Sequence, residues 1–224
     1  MIKVKLKKSL PELKIDIDFI VNEKFVSIFG KSGSGKTTIL RCIAGLETPD
    51  EGQVIFKDIT WFSSEKNINL PPQKRSISFV FQQPALFPNM SVEENIRYAM
   101  SKKDEKFFER LVSIANIEKL LNRKPKNLSG GEKQKVSLIR AIARKPDVLL
   151  LDEPFTALDF ETKFEIYEEL KILSKDIGFY TILVSHDIFE VSKFTNKVFY
   201  IEKGSITKTG KPTEILPIKQ YFQL

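Results

Sequence analysis

From Leu13 to Phe19 apolar and polar residues alternate, with Lys14, Asp16 and Asp18 separating Leu13, Ile15, Ile17 and Phe19. A period of two sends one face into a core and the other into water, which predicts a half-buried strand. Residues 1–6 supply its pairing partner. Residues 24–29 form a short apolar run that ends at Gly30, the mark of a buried strand. Helical character follows over 37–44, and strand, glycine-rich turn and helix in that order open a parallel α/β sheet. Residues 52–62 read as strand and loop, Leu70-Pro71-Pro72 breaks the chain, and 76–81 is another strand. After Pro84 the pattern turns helical. Ser91-Val92-Glu93-Glu94 has capping-box form, and helical patterning runs with interruptions to about Leu121. Residues 123–127, with Pro125, read as a loop. Ser129-Gly130-Gly131-Glu132 is a second capping-box pattern, opening a helix that ends near Arg144. From Asp147 the alternation of strand and helix returns. Strands are expected over 148–151, 180–184 and 197–201, and helices over 161–174 and 187–194. The whole predicts one α/β domain, 1–224, with a mainly parallel sheet, antiparallel strands at its N-terminus and an inserted helical subdomain at 83–140.

The chemistry begins at the first turn. Gly30-Lys31-Ser32-Gly33-Ser34-Gly35-Lys36-Thr37 follows a predicted strand, precedes a predicted helix and matches the phosphate-loop pattern. Glycines let the backbone wrap closely with its N–H groups turned inward, and the helix adds its positive end. Lys36 is expected to reach the β- and γ-phosphates, Thr37 to set its hydroxyl on Mg²⁺, and Thr38 to complete the cradle. Alone, this pattern says nucleoside triphosphate and no more, since kinases, GTPases and many ATPases share it.

A second apolar run, Leu149-Leu150-Leu151, delivers Asp152 and Glu153 at a strand end. A carboxylate at Asp152 suits Mg²⁺, usually through water. Glu153 suits orientation and deprotonation of an attacking water. Two surface acids after a strand are common, but a buried strand before them and a phosphate loop upstream weigh against coincidence. His186 is the single histidine of the chain and follows the apolar run 182–184 and Ser185. Open parallel sheets put ligands at such strand ends, where the imidazole would hydrogen-bond either the γ-phosphate or the water.

With these residues in place, Leu128-Ser129-Gly130-Gly131-Glu132-Lys133-Gln134 resembles the signature sequence of ABC-type ATPases, which other phosphate-loop proteins lack. The order phosphate loop, Gln82, signature, Asp152–Glu153, Asp159, His186 is also that family's, and the resemblance runs from about Val26 to Gly210. It implies two copies of the chain packed head to tail. Each ATP then lies between Lys36 of one copy and Ser129, Gly130 and Gly131 of the other. Gln82 resembles the Q-loop glutamine, which senses Mg²⁺ and water and links the core to the helical insert. Asp159, in Thr156-Ala157-Leu158-Asp159, resembles the D-loop aspartate at the dimer interface. Two departures stand out. Glu132 replaces the commoner glutamine. The stretch Lys7 to Glu12 has no aromatic residue where many relatives stack adenine, leaving Leu10 as an apolar contact.

Composition then narrows the class. The chain has 224 residues and carries 36 Lys and Arg against 29 Asp and Glu, a net charge of +7. The basic residues are scattered, as on an ordinary solvated surface, and no basic arm points to a nucleic-acid partner. One cysteine, Cys42, cannot form an internal disulfide. No secretory leader and no apolar run of spanning length are seen, so the expected location is the cytoplasmic face of the cell membrane, reached through a partner. A small-molecule kinase fails on the signature segment. An ABC ATPase acting on DNA or ribosomes is disfavoured by length, because such relatives carry long coiled-coil insertions or two cassettes. Leu86-Phe87-Pro88-Asn89-Met90-Ser91-Val92 resembles the importer-type stretch after the Q-loop. Phe87 and Met90 are there either anchors for a membrane permease subunit or core residues of the insert. The stretch from Trp61 to Arg75, continuing to Arg97-Tyr98-Ala99-Met100, is most similar to the ATPases of molybdate or tungstate importers. Those of sulfate, polyamine and iron importers come next. That resemblance implies permease subunits and, indirectly, an extracytoplasmic substrate-binding protein.

Overall fold

The computed structural model describes residues 1–101, 103–155 and 158–217. In chain order, β1 (Ile2–Leu10) and β2 (Leu13–Val21) form the expected antiparallel hairpin, with Ile2 opposite Val21 and Leu10 opposite Leu13. Ile15, Ile17 and Phe19 are buried and their polar neighbours exposed, as the alternation requires. β3 (Phe25–Phe29) is buried except at its first residue and leads into α1 (Lys36–Ala44). β4 (Glu51–Phe56), β5 (Ile59–Ser63) and the two-residue β6 (Ile68–Asn69) extend the hairpin antiparallel through β1–β4 pairing. A 3₁₀ turn, Pro72–Lys74, occupies the proline break.

β7 (Ile77–Val80) follows, then α2 (Val92–Ala99), α3 (Glu105–Ile114) and α4 (Gly130–Ala143). Short 3₁₀ turns at Glu118–Leu120 and Pro125–Asn127 join α3 to α4, so the stretch expected to be loop at 123–127 is partly helical. β8 (Val148–Asp152) and α5 (Phe160–Ile177) complete this part of the chain. β9 (Tyr180–Ser185), α6 (Ile188–Phe194), β10 (Lys197–Glu202), β11 (Ser205–Gly210) and α7 (Pro212–Ile215) close it.

The chain falls into two compact units, one of residues 1–77 and 180–224, the other of residues 78–179. In the first, the strand order is β6-β5-β4-β1-β2-β11-β10-β3-β9. The run β10-β3-β9 is parallel, and the outer strands β1, β2, β4, β5 and β6 pair antiparallel. This is the expected α/β architecture with N-terminal antiparallel strands. Phe29, Val191, Val198 and Leu216 form one of its buried clusters, which seats α6 against β3 and β10. In the second unit, β8 is buried at every residue, and α2, α3, α4 and α5 each bury apolar side chains, Ile96, Leu111, Ile139 and Leu170 among them. No helix among the described residues is long and apolar enough to cross a membrane.

Candidate functional site

The turn between β3 and α1 is built to hold an anion. Gly33 and Gly35 have φ of 77° and 99°, a region glycine enters without a side-chain clash. A Cβ on Gly30 would lie 2.3 Å from the Ile201 carbonyl oxygen of β10. One on Gly35 would lie 2.9 Å from Ile15 Cδ1 and 3.1 Å from Leu13 Cδ2. The loop is thus pressed against both neighbours. Lys36 is 4% exposed, and its Nζ donates to the Lys31 carbonyl at 2.9 Å, so the ammonium is held across the loop. Ser34 Oγ is buried without a hydrogen-bond partner, an orphan that a phosphate oxygen would satisfy. α1 begins without a side-chain cap and without an acid in its first turn, so its positive end suits an anionic ligand. Lys31, Ser32, Gly33 and Thr37 are exposed, while Thr38 is half-buried. The residues present therefore fit a polyphosphate.

His186 belongs to the same unit. β3 and β9 run parallel with Phe29 opposite Ser185, so the two strand ends that release Gly30 and His186 lie side by side. The imidazole is exposed. Sequence reasoning did not foresee that Leu13 and Ile15 of the first hairpin back the phosphate loop. Leu10, the apolar contact expected for adenine, is half-buried at the end of β1.

The other expected residues lie in the second unit. Asp152 ends β8 and is 8% exposed. Glu153 follows with φ of 44°. A non-glycine residue held there costs about 1–3 kcal/mol, a conformation shared with Lys57, Asn67, Asn116, Lys145 and Lys203. Pro154 and Phe155 behind it are buried, and Phe155 packs edge-on against Tyr167 at 5.0 Å between ring centroids. Gln82 is exposed, two residues past the end of β7.

Ser129 is the N-cap of α4, and both halves of the capping box are formed. Glu132 N–H donates to Ser129 Oγ at 3.2 Å, and Ser129 N–H donates to Glu132 Oε2 at 2.7 Å. Glutamate at 132 thus serves as a glutamine would, by accepting. A Cβ on Gly130 would meet nothing within 4 Å, so nothing in its own unit demands glycine there. One on Gly131 would lie 3.3 Å from Leu158 Cδ2 and 3.7 Å from Thr162 Cγ2, which sets the first turns of α4 and α5 together. Asp159 caps α5, accepting from Thr162 N–H at 2.9 Å and Thr162 Oγ1 at 2.8 Å. The Thr162 backbone N–H, then its hydroxyl, holds the Asp159 carboxyl below the usual range. Thr156 and Ala157 lie outside the described residues.

Phe87 is 39% exposed, whereas Met90 is half-buried. Phe87 stacks edge-on with Tyr98 at 5.0 Å and lies under the Arg140 guanidinium. Buried Asn95 pins this stretch, accepting from Phe87 N–H at 2.9 Å and donating to the Phe87 and Met90 carbonyls. Nothing in the sequence pattern marked Asn95 for that task. Among the described residues, no three His, Cys, Asp or Glu side chains form a ready metal cage.

The chain is 41% identical over 215 residues to the "Molybdenum import ATP-binding protein ModC" of Vibrio parahaemolyticus, covering 96% of this chain and 58% of that protein. It is also 41% identical over 212 residues to the "Spermidine/putrescine import ATP-binding protein PotA" of Bacillus thuringiensis, covering 92% and 62%. The chain thus spans about three-fifths of the length of these curated relatives. Among solved structures, a dimeric ATP-binding cassette in a post-hydrolysis state with ADP and Pi superposes with a TM-score of 0.78 at 31% identity, covering 95% of this chain and 99% of that one. The cbiO1 protein of Clostridium perfringens, part of the ABC transporter complex cbiONQ, gives 0.83 at 28%, covering 99% and 92%. The family profile described as "ABC transporter" matches residues 16–156, more than half of the sequence, and the chain belongs to the ABC transporter family.

Proposed function

We propose that this chain is the ATP-binding and hydrolysing subunit of an ABC importer and that its cargo is molybdate or tungstate. The observation that carries the ATPase reading is the phosphate cradle: Lys36 held across the loop beside an orphaned, buried Ser34 hydroxyl at an uncapped helix start. Gly30 to Thr38 bind the phosphates. Thr37, Asp152 and Gln82 are the residues that would hold Mg²⁺, in keeping with an ion that takes few protein ligands. When bound, Mg²⁺ neutralises charge that develops on the transferred phosphoryl group. Glu153 takes the proton of the attacking water, and His186 hydrogen-bonds the γ-phosphate or that water. Ser129, Gly130 and Gly131 of a second copy close over the γ-phosphate, with Asp159 at the interface. Residues 83–140 are the inserted helical subdomain, and Phe87 is its contact with a permease subunit.

Support for the cargo comes from the molybdenum relative and from the likeness of residues 61–75. The spermidine/putrescine relative, at the same 41% identity, keeps a polyamine importer as the second reading. The test uses vesicles that carry the chain, its permease and an external binding protein. Molybdate or tungstate should stimulate both ATP hydrolysis and uptake. Stimulation by spermidine alone would replace the cargo and keep the ATPase, and no stimulated hydrolysis with any solute would remove the importer reading.

A further inference from the structure

His186 sits between two residues whose side chains are both tied to the backbone of its own turn. Ser185 is 2% exposed and closes β9, and its hydroxyl donates to the Glu190 carboxylate. The same Ser185 Oγ accepts the Asp187 N–H at 3.0 Å, so the hydroxyl bridges the residue after His186 to the first turn of α6. Asp187 in turn accepts from the Phe189 and Glu190 N–H groups, at 2.9 and 3.2 Å. Glu190 is 4% exposed, next to Val191, which is itself anchored in the cluster of Phe29, Val198 and Leu216. A carboxylate is rarely buried to this extent unless something is gained by it. Here it fixes the Ser185 hydroxyl, the hydroxyl fixes the Asp187 amide, and the backbone of His186 is held from both sides. Because Phe29 pairs with Ser185, that backbone is also registered against Gly30 at the mouth of the phosphate loop.

We propose that Glu190 is a positioning residue, which acts through Ser185 to hold the His186 imidazole at the γ-phosphate end of the cradle. This rests on the reading of His186 as part of the hydrolytic site. The bond from Ser185 needs an acceptor at position 190 and no charge, so Glu190→Gln retains function while Glu190→Leu loses it. A displacement of the order of 1 Å can cost on the order of 10²-fold in rate, and a loss of about 10- to 100-fold in kcat with little change in KM for ATP is expected for Glu190→Leu. Ser185→Ala, which removes one oxygen, should lose kcat in the same direction if the leucine variant folds poorly.

The experiment measures kcat and KM for ATP of these variants in the native chain and in a His186→Ala background, with thermal denaturation alongside. The expected result is a fall in kcat for Glu190→Leu and Ser185→Ala, rescue by Glu190→Gln, and no further fall once His186 is alanine. Equal losses with and without His186, or a kcat that falls only as the folded fraction falls, would overturn the proposal. If His186→Ala itself leaves hydrolysis unchanged, the role given to His186 fails first, and that outcome is separate from one in which His186 matters and Glu190 does not.

Discussion

At the residue scale, Arg75 illustrates how much of the fold depends on one side chain. It is 1% exposed, and it donates to the carbonyls of Leu70, Cys42, Ile43 and Trp61 and to Asn69 Oδ1. Cys42 and Ile43 are in the last turn of α1, so a cation meets the negative end of the phosphate-loop helix. Burial lowers the Arg75 pKa to about 10, which still leaves it charged at neutral pH, and burial pushes the Cys42 thiol up to about 12. Arg75→Ala would take the guanidinium donor from the Leu70 and Ile43 carbonyls, whereas Cys42 O keeps Gly45 N–H and Trp61 O keeps Leu70 N–H, at about 1–3 kcal/mol for each group that finds no replacement. Urea denaturation should read a loss of that size, and a change within experimental error would contradict the capping role. Glu153 gives the second prediction at this scale. Glu153→Gln should keep ATP binding but lose about 10²–10⁴-fold in turnover, the range for removing a general base. Single-turnover hydrolysis near the native rate would take Glu153 out of that role. The bonds of Arg75 to Cys42, Ile43 and Trp61 could not be read from sequence, because those partners are distant along the chain.

At the scale of elements, two capping boxes make a controlled comparison. Ser91 with Glu94 opens α2 and Ser129 with Glu132 opens α4, with the same pair of bonds in each. Replacing either serine with alanine should cost about 1 kcal/mol of stability, as loss of an N-cap does. If Ser129 also serves ATP bound to a second copy, Ser129→Ala should lower hydrolysis well beyond what Ser91→Ala does. Parallel effects on hydrolysis would reduce Ser129 to a cap. Both boxes were legible, since serine, two residues and glutamate before an apolar run is a local code. So was the hairpin of β1 and β2, from its alternation. β11 was not: Ser205, Thr207, Lys208 and Thr209 leave Ile206 as its one large apolar side chain, and the strand is held by pairing to β10 rather than by burial. The two residues of β6 and the four of α7 are likewise too short to carry a period.

At the scale of the whole molecule, the legible part was the placement of the candidate residues: Gly30 and His186 follow β3 and β9, Asp152 ends β8, and Ser129 and Asp159 cap α4 and α5. The packing of Leu13 and Ile15 under Gly35 was not legible, because it arises from strand order. Equal identity to the molybdenum and polyamine relatives makes uptake measurements the test of the proposed cargo. The central claim is that one ATP is shared between Lys36 of one copy and Ser129 of another. It is tested most directly in a Glu153→Gln background, where hydrolysis cannot dissolve the dimer. Protein carrying Lys36→Ala and protein carrying Ser129→Arg are mixed with ATP and Mg²⁺, and dimer is measured by sedimentation. Each alone should remain monomeric, and the mixture, which contains one intact composite site per heterodimer, should form dimer. A mixture that stays monomeric, or Ser129→Arg protein that dimerises with ATP by itself, would contradict the shared site.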